Sequence, residues 1–160
     1  MTTDKPKRPR ARMAAGVAAL AGTFVAGWEG VQLVAYRDPV GIVTVCAGET
    51  RGVKMGDRYT REECSDMLRG RLDEFYGNLV ARCAPWLPGL PGPAQVAHLS
   101  LAYNIGEGAY CKSSIVRLQA AGYREASCDA FRKWNKAGGV VFRGLTRRRE
   151  AERELCLRPA

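Results

Sequence analysis

Trp28 to Thr50, W-E-G-V-Q-L-V-A-Y-R-D-P-V-G-I-V-T-V-C-A-G-E-T, places two carboxylates, Glu29 and Asp38, around a short extended run and ahead of a β-branched segment that carries Thr44. Glu29 follows an uninterrupted apolar stretch and precedes Gly30, which predicts a carboxylate in the last turn of a helix capped by glycine. There the negative end of the helix dipole and the apolar neighbours Trp28, Val31 and Leu33 both disfavour the charged form, the condition a general acid requires. Asp38-Pro39-Val40-Gly41 has the residues of a type I turn, with Asp at the first corner, Pro at the second and Gly at the fourth. Asp38 is therefore expected at the mouth of a hairpin, exposed and ionised. Ile42 to Cys46 favours a strand, and alternation puts Thr44 on the face of Ile42 and Cys46, where its hydroxyl can orient a water. One protonated and one ionised carboxylate across a sugar-sized gap are what glycoside hydrolysis needs. Taken singly, the same residues read equally well as a turn former, a solvated helix end and a good strand residue.

Upstream of Glu29, Met13 to Trp28 runs for 16 residues without a charge or a proline, and Met1 to Arg12 holds Lys5, Lys7, Arg8, Arg10 and Arg12 against Asp4. Residues 1–12 are predicted to be a disordered basic tail. A basic flank before an apolar segment is the layout of an export signal, with the basic end left in the cytoplasm. At about 1.5 Å per residue the segment spans about 24 Å, short of a bilayer core of roughly 30 Å, so it would be a poor permanent anchor. Cleavage at a small-residue site such as Val25-Ala26-Gly27 would leave Glu29 with no helix to stand on, so retention is expected. Met13, Val17, Leu20, Phe24 and Trp28 step by 4, 3, 4 and 4 and line one helical face. That stripe also suits the first helix of a soluble core.

The whole chain of 160 residues, 46% hydrophobic, has enough apolar content for one domain with a buried core, in two lobes. Its net charge of +9 points to a polyanionic partner: nucleic acid, an anionic membrane or a bacterial envelope. Cys46, Cys64, Cys83, Cys111, Cys128 and Cys156 all follow the apolar segment and form no C-x-x-C pair. Their even number suits disulfides formed in an oxidising compartment, with many connectivities open and free buried thiols as the alternative. Thr60-Arg61-Glu62-Glu63 is a capping box and opens a helix on which Cys64, Met67, Leu68, Leu72, Phe75 and Leu79 recur at helical spacing. Cys83 to Pro93 reads as a loop, with Pro93 in the first turn of the next helix. His98, the single histidine, reads as a satisfied partly buried residue, and one histidine excludes a multi-histidine zinc site. Asn104 and the turn from Gly106 to Gly108 either line a cleft or serve packing. Ser113 or Ser114 can cap a short helix, and Arg124 to Lys136 reads as another that ends near Gly138-Gly139. Thr146 is expected to cap a last helix whose Arg147, Arg148, Arg149, Glu150, Glu152, Arg153 and Glu154 form a solvated, self-paired face rather than a nucleic-acid patch.

Glu29, Asp38 and Thr44 stand at E-x8-D-x5-T, and this segment resembles the catalytic segment of the phage-type lysozymes, family 24 of the glycoside hydrolases. Ala102 to Gly108 is similar to that family's F-N-x-G-x-G element. Trp134 to Gly139, Gly144 to Glu150 and Glu152 to Cys156 resemble the W-x-x-A-G-G…G-L-x-x-R-R-x-x-E…C ending of lambdoid-phage endolysins. The resemblance implies an α+β, mostly helical, two-lobed fold, with a small N-terminal β-hairpin lobe, a larger C-terminal helical lobe and an active-site cleft between. It implies an endolysin that hydrolyses the β-1,4 bond between N-acetylmuramic acid and N-acetylglucosamine in peptidoglycan, with Glu29 as the acid and Asp38 and Thr44 on the water or the oxocarbenium ion. Asn104 and Gly106 would line the glycan cleft. No cofactor, no metal and no nucleic acid is implied, and the enzyme would be a monomer. Order along the related fold pairs Cys46 with Cys64, Cys83 with Cys111 and Cys128 with Cys156. Residues 13–28 resemble the signal-arrest-release helix of certain phage endolysins, which would hold the enzyme in the inner membrane before release to the periplasm, leaving 29–160 as the lysozyme domain. The family usually carries His where this chain has Glu49, which removes the carboxylate-histidine contact expected to brace the small lobe. A lytic transglycosylase and a non-enzymatic envelope-binding module are the rival functions.

Overall fold

The longest helix begins where its capping box lies. In the computed structural model, which describes residues 9–160, Thr60 Oγ1 accepts from the Glu63 N–H at 3.1 Å and Glu63 Oε2 from the Thr60 N–H at 2.7 Å, opening α2 (Arg61–Arg82). Before it come α1 (Ala15–Glu29), β1 (Gln32–Arg37) and β2 (Val43–Cys46). After it follow α3 (Gly92–Ile105), α4 (Glu107–Cys111), α5 (Ser114–Ala120), α6 (Arg124–Asp129), β3 (Lys136–Ala137), β4 (Val140–Val141) and α7 (Arg143–Leu157). The expected mostly helical, two-lobed α+β architecture is observed.

The small lobe is an antiparallel hairpin in which Tyr36 faces Thr44 and Arg37 faces Val43. Its core is Ala35, Val45, Cys46 and Cys64, flanked by Val31, Leu33, Val43 and Met67. The large lobe is built around α3, whose residues from Ala94 to Ala102 are all buried. Leu72 and Leu79 from α2, Ile115 from α5 and Phe131 close on its Leu99 and Leu101, all with no exposed surface. The disulfides join Cys46 to Cys64, Cys83 to Cys111 and Cys128 to Cys156, the pairs that order along the related fold implies. The first ties the hairpin to the start of α2, and the other two clasp the helical lobe.

Small residues let α1 lie close against its neighbours. Its fully buried positions are Ala21 and Val25; of the expected stripe, Met13, Val17 and Phe24 pack half-buried on the core while Leu20 is 37% exposed, so the inward face is shifted toward the small residues. A face of Ala and Val approaches a neighbouring helix more closely than one of Leu. A Cβ on Gly92 would lie 3.3 Å from Val17, and one on Gly77 would lie 3.1 Å from the Ala11 carbonyl. Of the tail expected to be disordered, residues 1–8 lie outside the described residues. Ala11 packs on the large-lobe core and Arg12 pairs with Asp73 at 3.3 Å. Among the described residues, no helix is long and apolar enough to cross a membrane.

Three other expectations are corrected. The helix read from Arg124 to Lys136 stops at Asp129, passes through a 3-10 turn (Ala130–Lys133) and gives way to a second hairpin, β3–β4. Gly138 and Gly139 at φ 56° and 78° make that hairpin's tight turn. α7 starts at Arg143 and not after Thr146, whose hydroxyl instead contacts the Phe142 carbonyl at 3.3 Å and accepts from Asn135 at 3.1 Å. The face of α7 expected to be solvated is in part buried, with Arg148, Arg149 and Glu152 among the least exposed side chains of the molecule.

Candidate active site

Glu29 closes α1, and Gly30 follows it at φ 73°, a left-handed conformation that glycine takes without strain. The cap is as expected, but the surroundings of the carboxylate are not the apolar ones expected. Arg148 Nη1 donates to Glu29 Oε1 at 2.7 Å from a side chain that is 5% exposed. The same guanidinium donates through Nε to Glu152 Oε1 at 3.1 Å and through Nη2 to Ser100 Oγ at 3.3 Å. Arg149 reaches Glu152 through Nη2 at 2.9 Å and Asn104 Oδ1 through Nη1 at 3.0 Å, and its Nε lies 2.7 Å from Glu152 Oε2 at an angle outside hydrogen-bond geometry. Ser100 Oγ donates to Glu152 Oε1 at 2.7 Å. Two guanidiniums and two carboxyl groups thus form a cluster under the end of α1. Burial pushes the Glu152 carboxyl upward against the pull of Arg149, Ser100 and Arg148, and burial lowers Arg149 against the pull of Glu152. Glu29 is the member that reaches open space.

It lines two cavities. One, of about 290 Å³, is lined by Glu29, Ala47, Gly48, Arg71, Phe75, Tyr103 and Asn104. The other, of about 550 Å³, is lined by Glu29 and Asn104 with Trp28, Ala137, Phe142, Leu145, Arg147 and Arg148 among others. Glu29 and Asn104 are the residues shared by the two walls. Gly106 lines neither and serves as the cap between α3 and α4, at φ 90°.

Asp38 sits at the hairpin turn, half-buried rather than exposed. Its Oδ1 accepts from the Val40 N–H at 3.0 Å and the Ile42 N–H at 2.8 Å, and its carbonyl accepts from the Gly41 N–H at 2.9 Å, as an Asx turn requires. Thr44 is buried and its hydroxyl donates to the Ile42 carbonyl at 3.1 Å. Neither residue lines the two cavities that Glu29 lines. Both belong to the small lobe, whereas Glu29 is fastened to the large one.

Glu49 does not leave the small lobe unbraced. Its Oε2 lies 3.1 Å from Arg71 Nε on α2, while Oε1 accepts from the N–H groups of Thr50 and Arg51 at 2.9 and 2.8 Å. The contact between hairpin lobe and α2 survives with a carboxylate on the small lobe and a cation on the helix. Beside it, the Tyr103 hydroxyl donates to the Ala47 carbonyl at 3.0 Å, and its ring packs on Phe75 with centroids 5.2 Å apart. Burial first, then the charges of Glu29 and Glu49, push the Tyr103 hydroxyl up to about 12. His98 is fully buried between Trp86, Tyr110 and Phe131, with Nδ1 2.8 Å from the Tyr110 hydroxyl. Burial, with a lesser push from Arg124, lowers it to about 3, so it stays neutral inside the core.

Sequence reading located Glu29 and missed Arg148, Arg149, Glu152 and Ser100. The i,i+4 and i,i+3 charge pairs were visible, but an acidic partner 119 residues away was not.

The phage lysozyme family matches residues 26–152. The chain is 34% identical over 159 residues to the SAR-endolysin of Enterobacteria phage P21, covering 94% of each. Among solved structures it is similar to a P22 lysozyme variant, with a TM-score of 0.79, 28% identity and 92% and 99% of the two chains covered. It is similar to the active form of P1 phage endolysin Lyz at a TM-score of 0.75, with 25% identity and coverage of 93% and 96%. Against the secreted inactive form of that endolysin the TM-score is 0.50, with 26% identity over 66% and 74%. With most of its length matched in sequence and in fold, this chain belongs to the phage lysozyme family.

Proposed function

We propose that this protein is an endolysin that hydrolyses the β-1,4 bond between N-acetylmuramic acid and N-acetylglucosamine in bacterial peptidoglycan and so lyses the host cell. The observation that carries the reading is Glu29 at the end of α1, lining two cavities while buried Arg148 holds its Oε1. Oε1 is occupied by Arg148 and Oε2 has no protein partner among the described residues, so a protonated Glu29 can give its proton to the glycosidic oxygen from that side. Asp38 and Thr44 act from the hairpin lobe, where they hold the attacking water or stabilise the oxocarbenium charge. With Oδ1 tied to two backbone amides, the carboxylate of Asp38 is fixed in direction. The glycan strand runs between the lobes past Asn104, and the net charge of +9 suits a polyanionic wall.

Residues 13–28 hold the enzyme in the inner membrane with the N-terminus in the cytoplasm until release into the periplasm. The name of the P21 relative supports this, and α1, whose 15 residues span about 22 Å, is too short for a permanent anchor and has small residues that suit the core. On release, α1 docks on residues 29–160 and brings Glu29 to Arg148. The greater similarity to an active than to an inactive endolysin form supports reading this conformation as the released one. Fractionating cells before and after collapse of the membrane potential is expected to move the enzyme from membrane to soluble periplasm. A chain soluble throughout, or bound throughout, contradicts release.

The chemistry is tested by mass analysis of the fragments released from purified peptidoglycan. Hydrolysis yields reducing N-acetylmuramic acid ends, heavier by one water than the anhydro sugars of a lytic transglycosylase. Anhydro products would replace this reading by that rival, and absence of any fragment would leave a binding module.

A further inference from the structure

Ala47 and Gly48 line the smaller cavity together with Glu29, and the loop from Ala47 to Glu49 is reached from the helical lobe at two points. One is the Arg71–Glu49 ion pair from α2. The other is the Tyr103 hydroxyl on α3, 3.0 Å from the Ala47 carbonyl. We propose that Tyr103 is a positioning residue whose hydroxyl fastens the hairpin lobe across the cleft and thereby sets the width of the glycan groove beside Glu29; the inference rests on the function proposed above.

Two features make the hydroxyl a fastener rather than an incidental contact. Phe75 packs on the ring at a 57° tilt with centroids 5.2 Å apart, which supports the side chain along the direction that takes its oxygen to Ala47. The two proposed halves of the chemistry lie on different lobes, Glu29 with Arg148 on the helical side and Asp38 and Thr44 on the hairpin. Their separation therefore depends on what joins the lobes, and Tyr103 does so from within the cavity wall. A glycan strand that binds the fastened arrangement meets fewer competent molecules when the fastening is weakened. That raises KM by the lost fraction, while the saturated enzyme, with its lobes held by substrate, turns over as before.

The test uses Tyr103→Phe, which removes one oxygen and keeps the ring on Phe75. On soluble, uncrosslinked glycan strands, KM is expected to rise by up to about five-fold, the factor set by a hydrogen bond worth about 1 kcal/mol, with kcat within about two-fold of wild type. Spin labels at Val40→Cys and Tyr123→Cys, exposed positions of the hairpin turn and the helical lobe, are expected to show a longer-distance population in Tyr103→Phe that addition of strands removes. Unchanged KM with an unchanged distance distribution overturns the proposal, as does a fall in kcat at constant KM. If the wild-type protein cleaves no glycan, the function proposed above falls, and the spin-label comparison still decides the fastening by itself.

Discussion

Glu29→Gln is expected to lower the rate of peptidoglycan solubilisation by about 10²- to 10⁴-fold, the range a positioned general acid contributes. Gln has nearly the same size and can still accept a hydrogen bond from Arg148 through its amide oxygen, so the geometry of 2.7 Å at Oε1 is preserved. It has no ionisable proton to give the departing sugar. The substitution does unbalance the cluster, because Arg148 and Arg149 then face Glu152 alone. Glu29 is the member at the solvent edge, however, with a quarter of its side chain exposed, and water can take up the difference. Thermal melting of Glu29→Gln should therefore stay within a few degrees of wild type while turbidity clearing is lost. Undiminished clearing by the variant would show that Glu29 is not the acid. Loss of clearing together with a collapsed melting curve would instead assign it a structural role.

The largest effect on stability is expected one layer below. Glu152 is fully buried and is the carboxylate that Arg148, Arg149 and Ser100 converge on. Glu152→Ala leaves two guanidiniums in the interior with one carboxylate, at the rim, between them. Removing one partner of a buried ion pair costs about 3–5 kcal/mol, because the remaining charge keeps its desolvation penalty and loses its compensation. For a protein of this size that lowers the melting temperature by about 6–20 °C, as read by circular dichroism. Glu150→Ala on the same helix is the internal control. Its carboxylate pairs with Arg132 at the surface, both side chains well exposed, so water replaces the lost partner and the melting temperature should hardly move. Equal, small shifts for the two variants would mean that water reaches the cluster and that α7 is the solvated helix its charges suggest.

That contrast marks where sequence reading succeeds and where it stops. Local chemistry was legible. The Thr60–Glu63 capping box opens α2 at the residue read, Asp38 nucleates the hairpin turn through its own side chain, and Gly30 ends α1 directly behind Glu29. Each depends on atoms a few residues apart, so the pattern that signals it is contiguous. The motifs at Glu29, Asp38 and Thr44 and at the C-terminal end carried the family, and with it the fold and the disulfide order.

The tertiary structure alone decided which charges are inside. Arg148, Arg149 and Glu152 share a helix with exposed Arg147 and Glu154 and half-buried Glu150 and have the same local pairing rules. What separates them is where α3 and the end of α1 come to lie. Burial of a charge is set by the whole surrounding surface, and its cost is met by partners brought from Ser100 and Glu29, distant along the chain. The inward face of α1 was likewise chosen by its neighbours, which admit Ala21 and Val25 and leave Leu20 outside. The sequence determined the elements, their caps and the acid's place at a helix end. Only packing determined the cationic seat behind that acid, because desolvation is a property of the assembled interior and not of any stretch of chain.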